Sequence, residues 1–161
     1  LQGGSGNVNP RVGPQGDFKP VDELTDEFVR EFFVAEEGAE ALDAGDGKIV
    51  GKLLPVDFLA KPGGEAPVKR AVLQGIRVGD FRVAGFPGEV FSETTMGVKK
   101  LLTATPFMAC SYANGGDDGY VPVKEAYPEG GYEVDVSPYA DTAEALLRDS
   151  FLDVLGELGP D

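Results

Sequence analysis

At 161 residues and 17.0 kDa, the chain has the length of one ordinary domain. Its apolar content of 42% is typical of a globular protein and excludes a disordered or fibrous class. Twenty-eight acidic residues against fourteen lysines and arginines give a net charge of −14. This charge argues against nucleic acid as a partner, because phosphates would be repelled.

The residue types that are missing exclude further classes. The sequence contains no histidine, so the chain alone can build neither a Ser-His-Asp triad nor a histidine-ligated metal site. Cys110 is the only cysteine, which rules out an intrachain disulfide. No apolar run reaches the ~18–20 residues of a transmembrane segment. The glycine-rich start at Leu1, without a signal peptide, is typical of a fragment, and we expect residues 1–161 to be a single domain within a larger catalytic domain.

The first half of the chain predicts a loop, a helix and an edge strand. Residues 1–20 are rich in glycine and proline and predict a loop. Apolar residues then recur every three or four positions, which predicts an amphipathic helix over 23–44, closed by Gly45 and Gly47. Residues 49–58 predict an extended segment, and Pro55 within it favours a sheet edge or a bend.

The second half alternates strands and helices. Residues 61–67 form a connector, and two strands at 68–78 and 81–86 are joined at Gly79-Asp80, a short hairpin turn. A helix is expected over 90–102, with Glu89 at its start, and another over 142–158, introduced by a capping-box pattern of Asp141 and Glu144. Further extended segments are expected over 106–112 and 120–123. Four to six strands with helices beside them predict an α+β fold of mixed α/β layers.

Three generic site motifs are not supported by the sequence. Gly3-Gly-Ser-Gly6 lacks the Gly-Lys-Ser/Thr of a phosphate-binding loop. Asp43-Ala-Gly-Asp-Gly47 misses the order of acidic residues in a calcium loop, so a helix-terminating turn is favoured. Asp117-Asp118 could hold a cation only loosely, and a solvated turn is the simpler interpretation of that pair.

Three other segments are informative together. They are Gly6-Asn-Val-Asn-Pro-Arg11, then Val83-Ala-Gly-Phe-Pro-Gly-Glu-Val-Phe91, and finally Tyr112-Ala-Asn114 with Gly119-Tyr-Val-Pro-Val-Lys-Glu-Ala-Tyr127 and Glu129-Gly-Gly-Tyr-Glu133. In this order and spacing, the sequence resembles the neutral/alkaline non-lysosomal ceramidase family over nearly the whole chain. Each segment is short, so the resemblance rests on their combination.

The resemblance implies that this chain carries two of the protein ligands of a zinc site. In that family, a glutamate in a Pro-Gly-Glu turn and a later tyrosine bind the catalytic zinc, and two upstream histidines complete the ligands. The matching residues are Glu89 and Tyr120, whereas without the resemblance they would be interpreted as a helix-start acid and a packing tyrosine. Tyr132 matches a second family tyrosine, thought to donate to the developing oxyanion, a role worth ~3–4 kcal/mol. Tyr112, Tyr127 and Tyr139 are interpreted as structural.

Asn9 departs from the family pattern. It stands where the family has a serine regarded as essential, and an amide side chain cannot act as an acyl nucleophile. Asn9 could still orient a water or donate to an oxyanion, so both Asn9 and Tyr132 are candidate catalytic residues. Attack by a zinc-activated water needs only a metal with an open coordination position.

The resemblance therefore implies a zinc-dependent amide hydrolase acting on an N-acyl lipid or a related amide, secreted or periplasmic. Zinc and the remainder of the catalytic domain are the expected cofactor and partner, and this chain alone should be inactive, because catalytic zinc normally has three or more protein ligands. Two alternatives remain open. One is a non-catalytic relative used for binding or structure, and the other is a calcium-stabilised secreted binding module.

Overall fold

The computed structural model describes residues 3–9, 16, 18–42, 47–64, 66–102, 106–114 and 119–159. The chain forms two compact units, one of residues 1–8 with 43–161 and the other of residues 9–42. Among the described helices, none is both long and apolar enough to cross a membrane. The segment 43–46 of the calcium-like stretch and the pair Asp117-Asp118 lie outside the described residues.

The described residues of the smaller unit form one helix, α1 (Phe18–Glu37). It begins five residues before the predicted start and ends seven before the predicted end, so the range 23–44 was wrong at its boundaries. The helix stops where Gly38 follows, and the Gly38 N–H donates to the Val34 carbonyl oxygen at 3.2 Å. None of the described residues of α1 is buried within its unit.

The larger unit contains the other elements. In chain order they are β1 (Ile49–Leu59), β2 (Val68–Val78), β3 (Phe81–Gly85), β4 (Glu89–Val90), α2 (Ser92–Leu101), β5 (Phe107–Cys110), β6 (Tyr120–Val121), α3 (Tyr132–Val136) and α4 (Ala143–Gly156), with a short 3₁₀ turn at Lys124–Ala126 before α3. The chain combines helices with strands, and the strands pair in both antiparallel and parallel fashion. This combination confirms the predicted α+β class.

Four strands form the main sheet, in the order β1-β2-β3-β5. The β2–β3 hairpin turns at Gly79-Asp80 as predicted, and Gly79 has a positive φ of 53° that favours glycine. β1 is an edge strand, also as predicted; Pro55, which has no N–H to donate, is tolerated there. β5 runs parallel to β3, and the chain crosses between them through β4 and α2.

The core lies between this sheet and α4. Leu147 and Phe151 of α4 are fully buried, as are Phe58 and Leu73 of the sheet. The rings of Phe58 and Tyr139 meet edge to face at 5.5 Å, a favourable aromatic geometry. The predicted capping box is wrong: α4 begins after Thr142, and in this described stretch no side chain caps its first turn. Instead the Ala143 N–H donates to the Ala140 carbonyl oxygen at 3.0 Å, so the turn at 140–143 leads into the helix.

Candidate functional site

The site begins at a buried turn, Pro87-Gly88, that leads into β4. Gly88 is packed closely: a Cβ built there would overlap the Gly119 carbonyl oxygen and approach Cε1 of Phe86 to 2.7 Å. The expectation that Glu89 starts a helix was wrong, because Glu89 is in a strand and α2 begins only at Ser92. The local reason is that β4 pairs with β6, which keeps the backbone extended at Glu89.

The parallel pairing of β4 with β6 brings Glu89 and Tyr120 together. The two residues are direct partners in the register, and the Glu89 N–H donates to the Gly119 carbonyl oxygen at 2.8 Å. Partial burial, followed by a side-chain hydrogen bond to the Glu89 carboxylate, raises the pKa of Tyr120 to about 12. The Tyr120 hydroxyl is therefore a neutral hydrogen-bond donor to the carboxylate across the physiological pH range.

A second phenol, Tyr112, reaches the same carboxylate. A hydrogen bond to Glu89 is the main cause that raises the pKa of Tyr112 to about 12. Tyr112 follows the end of β5, and its N–H donates to the Gly88 carbonyl oxygen at 3.2 Å. The sequence interpretation of Tyr112 as merely structural missed this contact. The signal available was that Tyr112 belongs to one of the three segments that carried the resemblance.

Tyr132 extends the cluster on the side of Tyr120. It is the first residue of α3, and its ring centroid lies 6.0 Å from that of Tyr120 in an edge-to-face arrangement. Its side chain is 67% exposed, so the hydroxyl is accessible to a bound molecule. Tyr132 and Glu133 also contribute electrostatically to raising the Tyr120 pKa. Of the four residues predicted for the site, the structure thus places three together: Glu89, Tyr120 and Tyr132.

The fourth, Asn9, is the first residue of the other compact unit and is exposed. The segment before it lies against β4 and α2: the Gly6 N–H donates to the Val90 carbonyl oxygen at 2.9 Å. Asn7 accepts a hydrogen bond from the Ser92 N–H at 2.8 Å and donates to the Glu93 carboxylate at 2.6 Å. Pro10 and Arg11, which complete the motif, lie outside the described residues.

The donor set suits a hard or borderline cation but is incomplete. The carboxylate of Glu89 and the phenol oxygen of Tyr120 are both oxygen donors, and carboxylates are common zinc ligands. A tyrosine binds a metal as phenolate, so the cation would have to overcome the raised pKa of Tyr120. Across the described ranges, no group of three or more His, Cys, Asp or Glu side chains could hold a metal ion. In the described part of the chain, these two oxygen donors are fewer than the three protein ligands that a catalytic zinc site normally has.

Comparison with known proteins identifies the fold of this chain. No family model and no curated protein matches the sequence. The neutral ceramidase from Pseudomonas aeruginosa matches in structure over 94% of this chain at 16% identity, with a TM-score of 0.66. A ceramidase complexed with C2 matches over 57% of this chain and 15% of its own, at 22% identity and a TM-score of 0.49. The chain spans only 35% of the Pseudomonas protein. It has a ceramidase-like fold, as the resemblance in sequence implied.

Proposed function

We propose that this chain is the C-terminal part of the catalytic domain of a zinc-dependent amide hydrolase, and that the whole protein acts on an N-acyl lipid or a related amide. The observation that carries the proposal is the convergence of Glu89 and Tyr120 at the β4–β6 pair. The ceramidase-like fold over 94% of the chain supports it, since the two residues were named from the same family.

Each residue of the cluster has a proposed role. Glu89 and Tyr120 would hold the metal, and the histidines that this chain lacks would come from another part of the protein. When bound, zinc would polarise the amide carbonyl and lower the pKa of a water molecule towards ~7. Tyr132, with its exposed hydroxyl, would donate a hydrogen bond to the oxygen on which charge develops. Asn9, which belongs to the other compact unit, is given no role in this cluster, and its amide side chain could not form an acyl intermediate.

The proposal extends to partners and compartment. The substrate would be a small-molecule or lipid amide, and the partner of this chain would be the remainder of its catalytic domain, without which the chain is inactive. A net charge of −14 argues against nucleic acid and anionic lipid surfaces as partners. By analogy with the family, the protein would be secreted or periplasmic.

The alternative is a ceramidase-fold domain used for binding or structure without catalysis. One observation favours it: Asn9 stands where the family pattern has a serine regarded as essential. The pair of Glu89 and Tyr120 argues against it, because a carboxylate with two phenols around it is not needed for packing.

Metal content and amide hydrolysis of the full-length protein test the proposal. We expect about one zinc per chain. A chelator should remove both the zinc and the activity, and added zinc should restore the activity. The substrate panel would contain N-acyl sphingosines of different acyl length and a simple fatty acid amide, with product amine as the readout. A full-length protein that purifies without metal and cannot be reconstituted would contradict the hydrolase. A zinc protein that cleaves none of these amides would favour the binding domain.

A further inference from the structure

The two faces of the main sheet have different surroundings. Side chains alternate between the faces along each strand, so one residue of known direction fixes the others. A Cβ built on Gly75 of β2 would lie 3.1 Å from a side-chain carbon of Val154, so this face packs on α4. A Cβ built on Gly85 of β3 would lie 3.8 Å from the Cβ of its strand partner Gln74, on the opposite face. We call the face of Gln74 and Gly85 the outer face, because it is turned away from α4.

The outer face is apolar on its two longest strands. Six aliphatic side chains of β1 and β2 share it with Gln74, namely Ile49, Leu53, Leu59, Val68, Val72 and Ile76. The three from β1 are each more than half exposed, and Leu53 reaches 62%. An antiparallel sheet that meets water on one face normally has polar residues there, and a contiguous apolar patch is typical of an interaction surface. The outer face therefore has the composition of a surface that another layer covers.

The charges on the outer face compensate each other. Of the charged residues in β1 and β2, only Asp57 and Arg70 lie on this face, and they are direct partners in the register. Nε and Nη2 of Arg70 donate to the two carboxylate oxygens of Asp57 at 2.6 and 2.7 Å. These strands thus present no net charge on the outer face, although the chain carries a net charge of −14. A layer of protein could cover the pair without leaving an unpaired charge buried.

The outer face continues into the candidate site. A Cβ built on Gly85 would lie 2.7 Å from the Cβ of Ala113, so the turn after β5 borders this face. In the same turn, the Tyr112 N–H donates to the Gly88 carbonyl oxygen at 3.2 Å, immediately before Glu89. A partner that covers the outer face would consequently also reach the edge of the site.

We propose that the outer face is the surface on which the remainder of this protein's catalytic domain packs as a further layer. The inference rests on the part of the proposed function in which this chain belongs to a larger catalytic domain. Two observations select this partner. The chain spans only 35% of the Pseudomonas protein that has the same fold. The metal ligands that this chain lacks must also approach Glu89, at the end of the outer face. A lipid surface would supply no ligand there, and a second copy of this chain would bring no histidine.

Thiol labelling of Leu53→Cys in the full-length protein tests the proposal. Asp149→Cys is the control, because Asp149 lies on α4 with a side chain that is 68% exposed. A maleimide reagent is applied to native and to urea-unfolded protein, and mass spectrometry reads each position separately from the buried Cys110. We expect the thiol at position 53 to react at least ~10-fold more slowly in the native protein, since labelling then requires local opening. The thiol at position 149 should react at nearly the same rate in both states.

Rapid labelling of position 53 in the native protein would overturn the inference. Protection that is lost on dilution to a monomer would assign the outer face to a second copy, and protection only with phosphatidylcholine vesicles would assign it to a membrane. Either result would also overturn it. If Leu53→Cys fails to fold, hydroxyl-radical footprinting of the unmodified protein reads the same protection at Leu53 and Leu59.

The inference and the proposed function fail in different ways. An open outer face in a protein that binds zinc and cleaves amides would remove only the inference. A protected outer face in a full-length protein that binds no zinc would remove the hydrolase and leave the packing surface.

Discussion

Replacing Glu89 by glutamine is expected to remove bound zinc from the full-length protein and to reduce amide hydrolysis by more than ~100-fold. Loss of a residue that only hydrogen-bonds to a metal ligand already lowers metal affinity or activity about 10- to 100-fold, and loss of a ligand should cost more. The physical reason is that a metal ligand must be ionised, and a neutral amide oxygen is a much weaker ligand. The exchange keeps size and shape, and the amide oxygen can still accept from the hydroxyls of Tyr112 and Tyr120. The fold should therefore persist.

Glu93→Gln is the matched control, because it makes the same chemical change only four residues away. The Glu93 carboxylate accepts hydrogen bonds from Asn7 and from Ser92, and it is exposed. We expect this variant to keep its zinc and its rate within a few fold. Zinc per chain is measured by elemental analysis, and circular dichroism checks the fold of both variants. Equal zinc content in the two variants would remove Glu89 from the ligand set.

Local sequence patterns predicted the elements whose partners are near in the chain. The β2–β3 hairpin needs only a two-residue turn between two apolar runs, and Gly79-Asp80 supplies it. Pro55 predicted the edge position of β1 because an internal strand would need its N–H. The helix at 92–101 was expected a few residues too early, since nothing local distinguishes Glu89-Val90 from a first helical turn.

Local sequence patterns did not predict the site. β4 and β6 are two residues each and are separated by about thirty residues, so their pairing leaves no periodic signal. Only the resemblance to a family linked Glu89 with Tyr120. Tyr112 was missed because its contact with Glu89 depends on a left-handed backbone and a turn fixed by Phe86 and Gly88. Neither feature can be deduced from the identity of a tyrosine after a strand.

The geometry of the site depends on glycines as much as on its polar residues. Gly88 allows β4 to approach the Gly119 carbonyl oxygen, which accepts from the Glu89 N–H at 2.8 Å. Gly6, beside the same strand, has the Glu89 carbonyl oxygen only 2.6 Å from where its Cβ would stand. Both approaches involve backbone atoms, which cannot move aside as a flexible side chain can. The polar cluster is therefore sensitive to a single added methyl group.

Gly88→Ala is accordingly expected to lower the free energy of unfolding by about 1–3 kcal/mol, the usual cost of overpacking a closely packed site. The new methyl group would overlap the Gly119 carbonyl oxygen and would lie 2.7 Å from the ring of Phe86, which is fully buried. Relief requires β4 to move away from β6, which also separates Glu89 from Tyr120. Urea denaturation measures the stability, and zinc titration of the full-length protein measures the site.

Gly97→Ala makes the same chemical change in α2, where a Cβ would have no atom within 4 Å. Alanine is a better helix former than glycine, so this control should gain about 0.5–1 kcal/mol. The two substitutions should thus shift stability in opposite directions, although both add one methyl group. If Gly88→Ala were as stable as the parent and still bound zinc, β4 would tolerate displacement and the close approach at Gly88 would not define the site.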